Sequence, residues 1–87
     1  MSPKEETVKT IQARLNILKK SLVSEENSVQ YYQTLIEKTP QDTEEEIGER
    51  RMYEDLLNEE KTHVQTFNNL IAHWEKRLDE TTNPPSA

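Results

Sequence analysis

The sequence has no cysteine, a single glycine and only five aromatic side chains among its 87 residues. The absence of cysteine excludes disulfide scaffolds, thiolate metal sites and cysteine catalysis together. No apolar run approaches the roughly 18 residues that a membrane span requires, so we expect no transmembrane segment. The first residues, MSPKEETVK, are not typical of a signal peptide, and we therefore expect a cytoplasmic protein.

Basic and apolar side chains are also few. Eleven Lys and Arg stand against seventeen Asp and Glu, which gives a net charge of −6. An acidic chain lacks the basic footprint that neutralises phosphates, so neither nucleic acid nor an anionic membrane is an expected partner. Hydrophobic residues make up only 31 % of the chain. A chain this short buries about 60 % of its unfolded surface even when compact, so we do not expect a stable monomer.

The apolar residues recur at alternating intervals of three and four residues in two long segments. This heptad spacing places them along one side of a helix, and we call the two rows together the seam. The row in the first segment is Val8, Ile11, Leu15, Leu18, Leu22, Glu25, Val29, Tyr32 and Ile36; the row in the second is Tyr53, Leu57, Glu60, Val64, Phe67, Ile71, Trp74 and Leu78.

A break between the segments predicts where the helices end. Pro40 cannot lie inside a helix, and Asp42 or Thr43 can cap a new one. We therefore predict one hairpin over residues 1–80, with helices at about 5–38 and 43–80, a turn at 39–43, and a disordered tail at 81–87.

The short turn makes the two helices antiparallel, so residues that face each other have numbers with a nearly constant sum. Leu18 with Phe67 and Tyr32 with Tyr53 both sum to 85. The second helix also carries an extra row beside its seam, formed by Leu56, His63 and Leu70. Because that row needs a cover, the fold predicted is all-α, an antiparallel two-helix hairpin that dimerises into a four-helix bundle.

Each row of the seam contains one carboxylate. Glu25 and Glu60 also sum to 85, which puts them in the same layer, and His63 follows Glu60 by one turn. A buried carboxylate needs compensation by a proton, by a basic side chain such as Lys61, or by a cation. Glutamate oxygen with imidazole nitrogen suits iron, manganese or zinc. A two-fold axis would double this set to the ligand inventory of di-iron carboxylate bundles.

These residues carry a resemblance to a known family. Glu25-x6-Tyr32 on the first helix and Glu60-Lys61-Thr62-His63 on the second resemble one half of a ferritin or rubrerythrin bundle. The stretch at 58–67, NEEKTHVQTF, is similar to the Glu-Glu-x-x-His-x-x-x-Phe run common there. A chain with one hairpin most resembles the encapsulated ferritins, over about residues 8–78.

The resemblance implies a di-iron ferroxidase that oxidises Fe(II) with O2, for iron storage and detoxification, at a site shared between two subunits. Glu25, Glu60 and His63 would hold the iron, with manganese or zinc as substitutes, and Tyr32 would hydrogen-bond beside it. The implied assembly is a homodimer or a larger annular homo-oligomer that delivers iron into an encapsulin shell. The tail at 81–87 has no segment that resembles an encapsulin-targeting peptide.

Two alternatives stay open at this point. A metal-free hairpin could use Glu25 and Glu60 as a polar layer that fixes register in a structural or interaction module. A di-iron or manganese protein could instead reduce peroxide, because iron and manganese accept the same ligands. His73 lies away from the seam, and we expect it to face solvent.

Overall fold

The computed structural model describes residues 7–83, which form two long helices, α1 (Val8–Lys38) and α2 (Glu44–Thr82). No strand occurs within this range, which confirms the all-α prediction. The molecule is a rod of 66 × 22 × 17 Å. Within the described range, neither helix contains an apolar segment of membrane-spanning length.

Both helices begin at a threonine cap. The side chain of Thr7 accepts a hydrogen bond from the Thr10 amide at 3.2 Å, and the Thr10 hydroxyl accepts one from the Thr7 amide at 3.0 Å. This reciprocal box holds Thr7 in extended geometry, so α1 begins at Val8, three residues after the predicted start. Thr43 caps α2 by accepting from the amide of Glu46 at 3.1 Å.

The C-terminus of α2 lies two residues beyond the predicted end. Thr81 and Thr82 continue the helix, and each hydroxyl donates to the carbonyl four residues earlier at 2.8 Å. Asn83 ends the helix as its C-cap. The predicted tail was therefore wrong about Thr81 and Thr82, whose hydroxyls bond to their own helix, and its last residues, 84–87, lie outside the described range.

The core is small and lies in the half of the hairpin away from the turn. In the described chain the buried apolar side chains are Ile11, Leu15 and Ile71, with Leu18, Leu22, Trp74 and Leu78 packed against them. Every position of the seam is buried or half-buried, including the two carboxylates. Three buried side chains are a small core for a chain of this length, and two helices alone leave large apolar side chains such as Ile17 and Tyr31 exposed.

Arg50 ties the two helices together at the turn. Its Nη1 donates to the carbonyl oxygens of Ile36 at 2.9 Å and Thr39 at 3.3 Å, while its Nε lies 3.4 Å from the carboxylate of Glu54. The last carbonyls of a helix have no partner within the helix, so a guanidinium there satisfies acceptors that would otherwise need water. The start of α2 thus caps the end of α1.

We expect Arg50→Met to lower the free energy of unfolding by about 1–2 kcal/mol, because it removes charged hydrogen bonds but keeps the aliphatic stem. Arg51→Met is the matched control, since Arg51 is exposed. Urea denaturation at one fixed protein concentration measures both. Equal losses in the two variants would contradict the capping role.

Candidate metal centre

Three potential ligands converge at the middle of the hairpin. Glu25 comes from α1, and Glu60 and His63 come from successive turns of α2. One donor atom from each lies within 4.8 Å of the other two. The antiparallel register produces this meeting, because it sets Glu25 opposite Glu60, and the three-residue spacing puts His63 on the same side of α2.

The distances within the group match a gap that an ion would fill. Nδ1 of His63 lies 3.6 Å from Oε2 of Glu25 and 3.9 Å from Oε1 of Glu60. Both separations are too long for hydrogen bonds. Ligands of one ion at about 2.1 Å stand roughly 3.0–4.2 Å apart, and the two distances fall inside that range.

The electrostatics of the pair are unfavourable without a cation. Oε2 of Glu60 is buried and has no hydrogen-bond partner within the described chain. The neighbouring Glu25 raises the pKa of Glu60 above its ordinary value of 4.5, chiefly because a proton on Glu60 can be shared with Glu25 in a hydrogen bond. Burial and the negative charge of Glu25 also raise this pKa, while His63 lowers it. The ionised pair therefore needs a proton or a metal ion between its oxygens.

The residues present fit a metal ion, but one chain does not complete the coordination. An orphaned carboxylate oxygen beside a second carboxylate and an imidazole is a donor set that iron, manganese and zinc accept. Three side chains leave positions open on an ion with up to six ligands.

Two grooves of about 300 Å³ each lie near the level of the carboxylates. One groove is lined by His63, Thr66 and Phe67 together with Glu25, and the His63 side chain is 53 % exposed there. The opposite groove is lined by Glu26, Val29, Gln30, Gln33, Lys61 and Val64. Within the described chain, Lys61 forms no ion pair with either carboxylate, so it does not provide the compensation considered above.

The other predicted residues lie apart from this group. Tyr32 is half-buried on the seam one heptad from Glu25, and its ring meets that of Tyr31 edge-on at 5.4 Å. Its hydrogen-bonding role stays a prediction. His73 lies at the far end of α2, exposed, with its ring 4.9 Å from the ring of Trp74.

Thr66 and Phe67 are part of the site that the sequence reasoning did not assign to it. Thr66 follows His63 by three residues and Phe67 follows by four, so both continue the same side of α2. The helical spacing that places Glu60 and His63 on one side of α2 would therefore also have identified Thr66 and Phe67.

No protein-family model matches this chain, and neither a curated protein nor a solved structure matches it. The function proposed below depends on the residues and on their geometry.

The raised pKa of Glu60 predicts a pH-dependent stability of the metal-free protein. The folded chain holds this proton more tightly than the unfolded chain, so its contribution to stability is complete below pH 4.5 and is lost as the pH rises through the raised pKa. Gln at this position keeps a donor towards Glu25 at every pH. We therefore expect the Tm of Glu60→Gln to exceed that of wild type at neutral pH, and the difference to vanish at low pH.

Thermal melts followed by circular dichroism, in EDTA and from below pH 4.5 to neutral pH, measure the difference in Tm between Glu60→Gln and wild type. Asp55→Asn is the control, because it removes one exposed carboxylate from the same helix. A constant offset between Glu60→Gln and wild type at all pH values would contradict the shared proton.

Proposed function

We propose that this chain is a di-iron ferroxidase of the encapsulated-ferritin type, which oxidises Fe(II) with O2 at a site completed by two copies. The observation that carries the proposal is the buried, unpartnered Oε2 of Glu60 in the group formed with Glu25 and His63. Two facing carboxylates in so small a core are costly unless a proton or a ligand compensates them.

The ligand set suits the chemistry of iron oxidation. Two Fe(II) ions supply the two electrons that reduce one O2, with two protons, to hydrogen peroxide. Glu25 and Glu60 would balance the charge of the ions, and carboxylates tolerate the change in binding that accompanies oxidation. His63 would supply the nitrogen donor from its Nδ1, the atom that faces both carboxylates.

The charge distribution supports attraction of Fe(II) to this level of the rod. Residues 21–36 and 52–69, in the middle of the hairpin, contain six acidic side chains and a single basic one, Lys61. A concentrated negative potential raises the local concentration of divalent cations and speeds their arrival. The site would therefore sit in an acidic part of the molecule.

In this proposal the dimer assembles further into an annular homo-oligomer in the cytoplasm, and the oxidised iron passes to a storage shell of the encapsulin kind. Tyr32 would donate its hydroxyl near the iron from the adjacent layer. These elements follow from the resemblance and are proposed together with the activity.

A second candidate is favoured by the proton that Glu25 and Glu60 can share. Such a pair is a polar layer that could set register in a metal-free structural hairpin. Manganese binding or peroxide reduction would use the same donors and differs from the first proposal only in the metal or the oxidant.

Anaerobic titration with Fe(II), followed by admission of air, tests the ferroxidase. We expect saturation near one iron per chain, an increase in near-ultraviolet absorbance on oxidation, and a shift in mass towards dimers or larger species. The matched variants are His63→Ala and His73→Ala, which remove the same side chain from two exposed positions of one helix. We expect the first to lose most of the oxidation and the second to retain it, while Glu60→Ala abolishes it.

Equal rates of Fe(II) oxidation in His63→Ala and wild type would contradict the assignment of His63 to the site. The combined variant Glu25→Leu/Glu60→Leu distinguishes the metal-free structural hairpin from the ferroxidase. If the layer only sets register, this variant yields a more stable oligomer that is indifferent to EDTA, and wild type is equally indifferent. If the layer binds iron, EDTA destabilises the wild-type oligomer loaded with metal, and the variant binds none.

A further inference from the structure

One groove between the two helices contains none of the three candidate metal ligands. It has a volume of about 300 Å³, and we call it the polar groove. The side chains that line it are Glu26, Val29, Gln30, Gln33, Lys61 and Val64. The function proposed above uses none of these six, so the groove needs an explanation of its own.

Two valines form the floor of the polar groove. Val29 and Val64 are half-buried positions of the seam, whereas the other four lining side chains are polar and exposed and therefore form the rim. Valine is shorter than the leucine, tyrosine and phenylalanine at the neighbouring apolar positions of the seam. The two valines therefore leave room between the helices for the apolar part of a ligand.

The register of the helices sets the two charges of the rim apart. Nζ of Lys19 lies 3.8 Å from Oε2 of Glu75, and these two residue numbers sum to 94. Glu26 follows Lys19 by one heptad and Lys61 precedes Glu75 by two, so all four lie on the same flank of the hairpin. The same sum sets Lys61 level with Gln33, which is two helical turns from Glu26. The two charges therefore stand about 10 Å apart along the rod.

Neither charge has a partner in the part of the chain that the structure describes. Glu26 and Lys61 form no ion pair there, in contrast to Lys19 and Glu75 on the same flank. The carboxamides of Gln30 and Gln33 form no hydrogen bond within residues 7–83 either. The rim thus offers a carboxylate towards one end, an ammonium towards the other, and two carboxamides.

This order of groups matches a zwitterionic dipeptide. An extended dipeptide holds its ammonium and carboxylate about 6 Å apart, and a hydrogen bond of about 3 Å at each end extends its reach to the length of the groove. The peptide bond would then lie beside Gln30, whose carboxamide can accept from a peptide N–H or donate to a peptide carbonyl. A free amino acid has no amide for Gln30 to bind.

We propose that the polar groove binds a small zwitterionic peptide, with its ammonium at Glu26, its peptide bond at Gln30 and its carboxylate at Lys61. Apolar side chains of the peptide would contact Val29 and Val64. The rim residues are exposed, so water competes with each contact, and we expect an affinity in the millimolar range.

The proposed peptide site is compatible with an occupied metal centre. Lys61 and His63 lie on different sides of α2, because two residues of an α-helix turn by about 200°. A peptide and a metal ion would therefore bind on different flanks of the hairpin. In the proposed dimer the row of Leu56, His63 and Leu70 is covered, and the polar groove stays on the outer surface.

Titration of the ¹⁵N-labelled, metal-free protein with L-alanyl-L-valine tests the proposal by two-dimensional NMR. We expect saturable shifts of the side-chain amide signals of Gln30 and Gln33 and of the backbone amides of Val29 and Val64. Acetylation of the ligand's ammonium or amidation of its carboxylate removes one ion pair. Each should weaken binding about fivefold, the value of one well-placed exposed ion pair.

Matched variants assign each charge of the rim to one end of the ligand. In Lys61→Met, amidation of the ligand should no longer change the affinity, because the partner of the carboxylate is gone. In Glu26→Gln, acetylation should no longer change it. Lys76→Met and Glu80→Gln remove exposed charges at the far end of α2 and should keep both differences in affinity. Circular dichroism verifies that the helices are intact.

An absence of saturable shifts at the groove would overturn the proposal, and so would equal affinities for the dipeptide and its two blocked forms. Loss of the same differences in Lys76→Met and Glu80→Gln would also contradict it, because binding would then depend on overall charge rather than on the groove. The protein is free of metal in this measurement, so its outcome is separate from that of the Fe(II) titration.

Discussion

The structure depends on the register of one antiparallel seam. Because α1 and α2 are joined by a short turn, each seam residue of α1 has one partner level on α2, and a shift of either helix would break every layer at once. The apolar layers of Ile11, Leu15 and Ile71 fix that register at one end, and Arg50 fixes it at the other. Glu25 and Glu60 face each other as a consequence.

That facing pair weakens the hairpin where the seam is otherwise apolar. An ionised carboxylate pair at this level repels itself and loses hydration, and the raised pKa of Glu60 expresses the cost. The buried apolar side chains lie in the half away from the turn, so the middle of the rod has little hydrophobic burial to offset it. A hairpin built for stability alone would place apolar side chains at both positions, as the neighbouring layers of leucine and valine do.

Periodicity made the site predictable from the sequence. Glu25 and Glu60 are visible as the charged members of two apolar rows, and their common sum places them in one layer before any coordinates are known. The reciprocal Thr7–Thr10 box and the helical continuation through Thr82 were not predicted, because they depend on local hydrogen bonds of threonine hydroxyls. The link from Arg50 to α1 depends on side-chain reach across the turn, which spacing does not encode.

The carboxylate layer lies near the midpoint of both helices, and in the proposed dimer this position would link metal binding to assembly. The described chain offers three donor residues at this level, which is about half of the coordination shell of a six-coordinate ion. If two copies share the ions, metal binding and association are thermodynamically coupled, so each strengthens the other by the same factor. The ionised pair that weakens the single hairpin would then be the feature that makes the loaded dimer the stable form, because the ions replace the missing proton and the partner replaces the missing core.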